Sequence, residues 1–140
     1  MDRSTTRWTY RFAFLLAATA LLATAQPHVA AAQTQETKRV MRQKLAESQQ
    51  LLGALVTSDW RALASHSQTL QMLTMQPGWD VIRLPEFHNY TTGFQKAVQA
   101  LADAAGRRDQ RTALSAYNAL VSSCVECHLY VARARIASAR

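Results

Sequence analysis

The chain has 140 residues, 49% of them hydrophobic, which gives room for one domain of ordinary size with a modest core. Sixteen Lys and Arg against nine Asp and Glu set a net charge of +7, yet the basic residues are dispersed and Arg107, Arg108 and Arg111 are the densest group. That distribution reads as solvated surface able to dock an acidic protein partner, and it gives no support to nucleic-acid binding.

Residues 1–32 have the pattern of a cleaved export signal. Arg3, Arg7 and Arg11 form a positive start, and the run from Phe12 to Ala25 is apolar and uncharged. Ala30 and Ala32 occupy the two small positions of an A-x-A pattern, so cleavage is expected after Ala32, with Ala23-Thr24-Ala25 as the second site. An uncleaved anchor is the alternative, since no Lys, Arg, Asp or Glu occurs between Arg11 and Glu36, but Gln26, Pro27 and His28 interrupt the run before it reaches the length of a span. The mature domain is then 33–140, periplasmic or otherwise exported, without a stable membrane span after cleavage. It has 13 Lys and Arg against 8 Asp and Glu.

Beyond residue 35 the sequence is rich in Ala, Leu, Gln, Arg and Ser and shows little period-two alternation, so helix is expected throughout. The first helix, about 36–57, spaces Met41, Leu45, Ser48, Leu52 and Leu55 along one face. The second opens at Ser58 as N-cap and runs to about Met75, with Trp60, Leu63, Ser67, Leu70 and Leu73 inward, until Pro77-Gly78 stops it. A connector covers 76–84, with a short helical turn expected near Trp79–Arg83. Pro85 opens the third helix, whose buried stripe is Phe87, Tyr90, Phe94, Ala97, Val98 and Leu101, with Gly106 as C-cap. The fourth starts near Asp109 as N-cap and continues past residue 133, burying Ala113, Ala116, Tyr117, Leu120, Val121 and Cys124. Four amphipathic helices with short links predict an all-α, antiparallel four-helix bundle, because each apolar stripe needs neighbours to cover it.

Cys124-Val125-Glu126-Cys127-His128 matches C-x-x-C-H, the attachment signature of haem c. Positions i, i+3 and i+4 share one helix face, so two sulfurs can bond the porphyrin vinyl groups while the adjacent imidazole reaches the iron. One covalent haem, with His128 as an axial iron ligand, is the expectation. Paired cysteines in an exported chain also suit a disulfide or thiol chemistry. The thioredoxin-type C-x-x-C belongs to a βαβ setting that this pattern lacks, and a structural zinc needs four ligands, whereas His66 and His88 have no ligand-spaced companion.

With this motif on the last helix of an exported all-helical domain, 12 residues from the end, the chain resembles the class II c-type cytochromes, the cytochrome c prime type. Tyr90 and Phe94 on the third helix, the turn from Gly106 to Asp109, and Tyr117 seven residues before Cys124 fit the same pattern. After His128 the chain places Tyr130 two residues on and Arg133 five on, where the family usually has an aromatic at three and a basic residue at four. The resemblance implies that the first helix covers the haem, with Met41 or Leu45 toward the open side of the iron. A Met41 thioether would make a six-coordinate, low-spin centre suited to electron transfer, and Leu45 would leave a five-coordinate iron open to a small gas. Packing is the ordinary role of Met41, Met72 and Met75. Tyr117 and Tyr130 are the aromatics placed by position to touch the haem.

The expected function is a monohaem electron carrier working with a redox partner protein. The alternative is a haem protein binding nitric oxide or carbon monoxide. No distal acid/base pair can be assigned, so the chain is not expected to be an enzyme. The resemblance also implies a possible homodimer.

Overall fold

Every regular element among the described residues is helical, in keeping with the Ala, Leu and Gln content of the sequence. A computed structural model describes residues 32–79 and 86–138. Residues 1–31 of the expected 1–32 export signal, the start of the third helix at Pro85 and the helical turn beyond Trp79 lie outside the described residues. The chain divides into two compact units, Met1–Glu36 and Thr37–Arg140, and the core and the candidate site lie within the second.

Four helices and no strand occur among the described residues: α1 over 32–56, α2 Trp60–Leu73, α3 Phe87–Arg107 and α4 Gln110–Ser138. None of the described helices is long and apolar enough to cross a membrane.

The helix ends differ from expectation in informative ways. The N-cap of α2 is Asp59, whose carboxylate accepts from Ala62 N at 3.0 Å. Ser58 instead takes the left-handed conformation that turns the chain, at φ 57°. A carboxylate one residue closer to the free N–H groups caps them and meets the positive end of the helix dipole. Gly106 is not the C-cap of α3; the helix continues through Arg107 and closes on Arg108, left-handed at φ 54°. Asp109 caps α4 as expected, accepting from Thr112 N at 3.1 Å, and those hydrogen bonds hold its carboxyl below the usual range.

The core is one cluster. Val40, Leu51 and Leu55 of α1 meet Leu63, Leu70 and Leu73 of α2, and Phe94, Val98 and Leu101 of α3 meet Ala113 and Leu120 of α4. The only buried polar side chain among the described residues is Ser67, which donates to Leu63 O at 2.8 Å. The stripes of α2 and α3 follow expectation, apart from the half-buried Trp60 and Tyr90. On α1 the buried face is rotated by one residue. Val40, Lys44, Leu51 and Leu55 point inward, while Leu45 and Leu52 are exposed. Val121 of α4 is exposed as well, against expectation.

α3 packs against both α2 and α4. Side chains join α1 to the others. Gln110 Nε2 donates to Leu55 O at 2.7 Å, Tyr117 Oη donates to Ser48 O at 3.3 Å, and His66 Nδ1 lies 2.7 Å from Glu47 Oε2.

Candidate functional site

The C-x-x-C-H run lies in the middle of α4, so helix geometry alone fixes the two cysteines one turn apart with the imidazole beside the second. Both cysteines are half-buried and unbonded to each other, and His128 is exposed.

Two hollows flank the run. The larger is a groove of about 560 Å³, walled on one side by Met41, Leu45 and Ser48 of α1 and on the other by Tyr117, Val121, Cys124, Val125 and His128 of α4. Three of the exposed apolar side chains, Leu45 at 61%, Val121 at 42% and Val125 at 53%, are lining of this groove, whereas the exposed Leu52 is not. A groove of this volume, mostly apolar and with few polar groups, has the character of a cofactor site. The smaller hollow, about 20 Å³, lies where Cys124, Cys127 and His128 meet Trp79, Tyr90 and Phe94. Met41, Lys44, Cys124 and His128 border both hollows.

The structure therefore brings together Cys124, Cys127, His128, Met41 and Leu45. Tyr117 borders the groove, and Tyr130 stacks on Tyr90 at 5.2 Å between ring centroids. His66 is engaged with Glu47, His88 is exposed, and neither borders the two hollows. Trp60, Met72 and Met75 border neither hollow either.

Lys44 is the residue that periodicity missed. Its ammonium sits 3.9 Å from the Trp79 ring centroid and 3.8 Å from that of Phe94. The two rings are 5.3 Å apart and tilted by 42°, so they form two walls around the charge, and the Trp79 indole is fixed by a 3.2 Å hydrogen bond to Thr91 Oγ1. Burial lowers the Lys44 pKa to about 8, against the pull of the nearby Cys124 and Cys127 sulfurs. A charged residue in an apolar stripe reads as an interruption. The signal was its spacing, four residues after Val40 and seven before Leu51.

Burial pushes the Cys127 thiol up, with Lys44 opposing. A reactive redox cysteine has a depressed pKa, commonly at a helix N-terminus. Cys127 has neither feature. Burial also raises the Tyr117 phenol. No group of three or more His, Cys, Asp or Glu among the described residues is arranged to hold a metal ion by itself. A haem iron needs no such cluster, because the porphyrin supplies four of its ligands.

No family model matches the chain, and comparisons with curated proteins and with solved structures find no similar protein.

Proposed function

We propose that this chain is an exported monohaem c-type cytochrome of the cytochrome c prime type, an electron carrier built as an antiparallel four-helix bundle. The observation that carries the reading is the apolar groove beside Cys124 and His128, at the one place where the chain has a haem-attachment motif. The antiparallel pairing of α1 and α4 is supported by contact order: Gln110 meets Leu55 and Tyr117 meets Ser48, so one helix is read backward as the other is read forward.

The donor set fits the group. Cys124 and Cys127 are free thiols one helix turn apart, Cys124 and His128 bordering both hollows and Cys127 the smaller one. The groove walls are apolar, as a macrocycle requires, and no Asp or Glu lines them. Arg42 at the rim suits the carboxylates that a porphyrin carries. Cys124 and Cys127 would hold the haem by thioether bonds and His128 would hold the iron. Bound haem supplies a one-electron ferric/ferrous couple. The protein's own part is to exclude water with Met41, Leu45, Val121 and Val125 and to present a basic surface to an acidic redox partner.

The presence of Leu45 beside Met41 in the groove wall favours a second reading, in which the iron keeps an open position for nitric oxide or carbon monoxide.

The test is expression with a c-type maturation system, followed by spectra of the oxidised, reduced and carbon-monoxide-treated protein. Red product whose haem resists acid acetone is expected, and Cys124→Ser with Cys127→Ser should abolish it. A colourless product or extractable haem sinks the proposal. A reduced spectrum indifferent to carbon monoxide favours the carrier, and one that shifts favours the gas binder.

A further inference from the structure

We infer that Lys44 places a fixed positive charge beside the iron that His128 would hold, and that this charge raises the iron's reduction potential. The inference rests on the haem reading above and assigns a role within that site to a residue that no motif marks.

Lys44 borders both hollows that His128 borders, so it faces the same space from α1. Its partners are ring faces. Trp79 and Phe94 hold the ammonium at 3.9 and 3.8 Å, and no carboxylate is paired with it among the described residues. A ring quadrupole attracts a cation without cancelling its charge, so the field of the ammonium persists where a salt bridge would have removed it. The rings also limit where the flexible four-carbon stem can place that charge, since Trp79 and Phe94 are themselves buried and Trp79 is tied to Thr91. In the haem-free chain burial lowers the Lys44 pKa to about 8, so the amine is charged below that pH, and potentials are read at pH 6 as well as at pH 7.

The position also separates Lys44 from the ordinary task of a cation at a porphyrin. It is close enough to Cys124 and Cys127 to feel the charge of both sulfurs. Those sulfurs would meet the vinyl edge, opposite the carboxylates, so Lys44 is not spent on neutralising them. A unit positive charge disfavours ferric iron more than ferrous. For separations up to about 10 Å and an effective dielectric of about 20, the ferric/ferrous ratio falls roughly tenfold or more. Tenfold corresponds to about 59 mV for a one-electron couple.

The experiment compares wild-type holoprotein with Lys44→Met, Lys44→Gln and Lys44→Arg. Potentiometry at pH 6 and pH 7 is read together with covalent haem per chain and the visible spectrum. The two neutral variants should keep their haem and lose about 59 mV or more, while Lys44→Arg stays close to wild type; Lys44→Gln serves if Lys44→Met folds poorly. Loaded neutral variants with the wild-type potential overturn this inference alone. Loss of low-spin bands in all three variants also overturns it, by making the amine an iron ligand instead. A wild-type chain that takes up no covalent haem overturns the cytochrome reading and this inference together.

Discussion

Replacing Lys44 by Met should make the haem-free protein more stable at neutral pH, although it removes two attractive contacts. Burial lowers the Lys44 pKa from 10.5 to about 8, which corresponds to roughly 3 kcal/mol of cost for carrying the charge inside the fold. The two ring faces return roughly 1–2 kcal/mol of that. Met keeps an unbranched apolar stem and has no charge to desolvate, so the variant should gain about 1–2 kcal/mol at pH 7. The sign with pH follows from the depressed pKa. Between pH 8 and pH 10.5 the unfolded chain still binds the proton and the folded chain has released it, so wild-type stability rises across that window. The advantage of the variant should therefore shrink toward zero by about pH 10. Urea unfolding followed by circular dichroism at pH 7, 8, 9 and 10, on both proteins, measures it. Taking the difference removes the titration of Tyr117, which both chains share, and Cys127, whose thiol Lys44 holds down, is replaced by Ser in both. A difference that stays flat from pH 7 to pH 10, or a variant less stable at pH 7, would refute the reasoning.

Other substitutions test other links. Leu101→Ala empties a fully buried position in α3 and should cost roughly 2–5 kcal/mol, seen as a thermal midpoint lower by ~10 °C or more. Arg108→Gly removes the Cβ from a left-handed residue and should stabilise by about 0.5–1 kcal/mol in urea, whereas Arg107→Gly one residue earlier, still helical, should destabilise by about the same amount. Val125→Asp changes an exposed groove residue, so unfolding of the haem-free chain should move by no more than about 0.5 kcal/mol while covalent haem per chain falls several-fold. Equal haem loading in Val125→Asp would place the haem elsewhere.

The sequence made the helices legible because Leu63, Ser67, Leu70 and Leu73 on α2, and Phe94, Val98 and Leu101 on α3, are strictly periodic and lie on buried faces. Helix ends were less legible. Ser58 and Asp59 are both good caps by composition, and only the turn geometry decides that one bends the chain while the other accepts the hydrogen bonds. Gly106 had the right residue type for a left-handed cap, but the helix kept its bonding for two more residues and left that role to Arg108. The motif residues Cys124, Cys127 and His128 were visible from local spacing, since a helix fixes their relation without tertiary contacts. The α1 side of the site was not. Met41, Leu45, Ser48 and Leu52 looked like core because they are spaced like core. A second apolar face one residue away, with Lys44 in it, is distinguishable only when Trp79 and Phe94 are seen to cover the charge.

The side chain of Gln110 acts as a staple. It is the first residue of α4, yet it donates to Leu55 O at the end of α1 and accepts from Ser58 Oγ at 3.2 Å in the next turn. The α1–α2 and α3–α4 links are thereby riveted at one end of the molecule, while Cys124 stands 14 residues further along α4, about 21 Å away at 1.5 Å per residue. The tie at Gln110 is made by the chain's own side chains and lies well away from the thiols, so substitutions at Cys124 or Cys127 should leave that end of the helices joined as before.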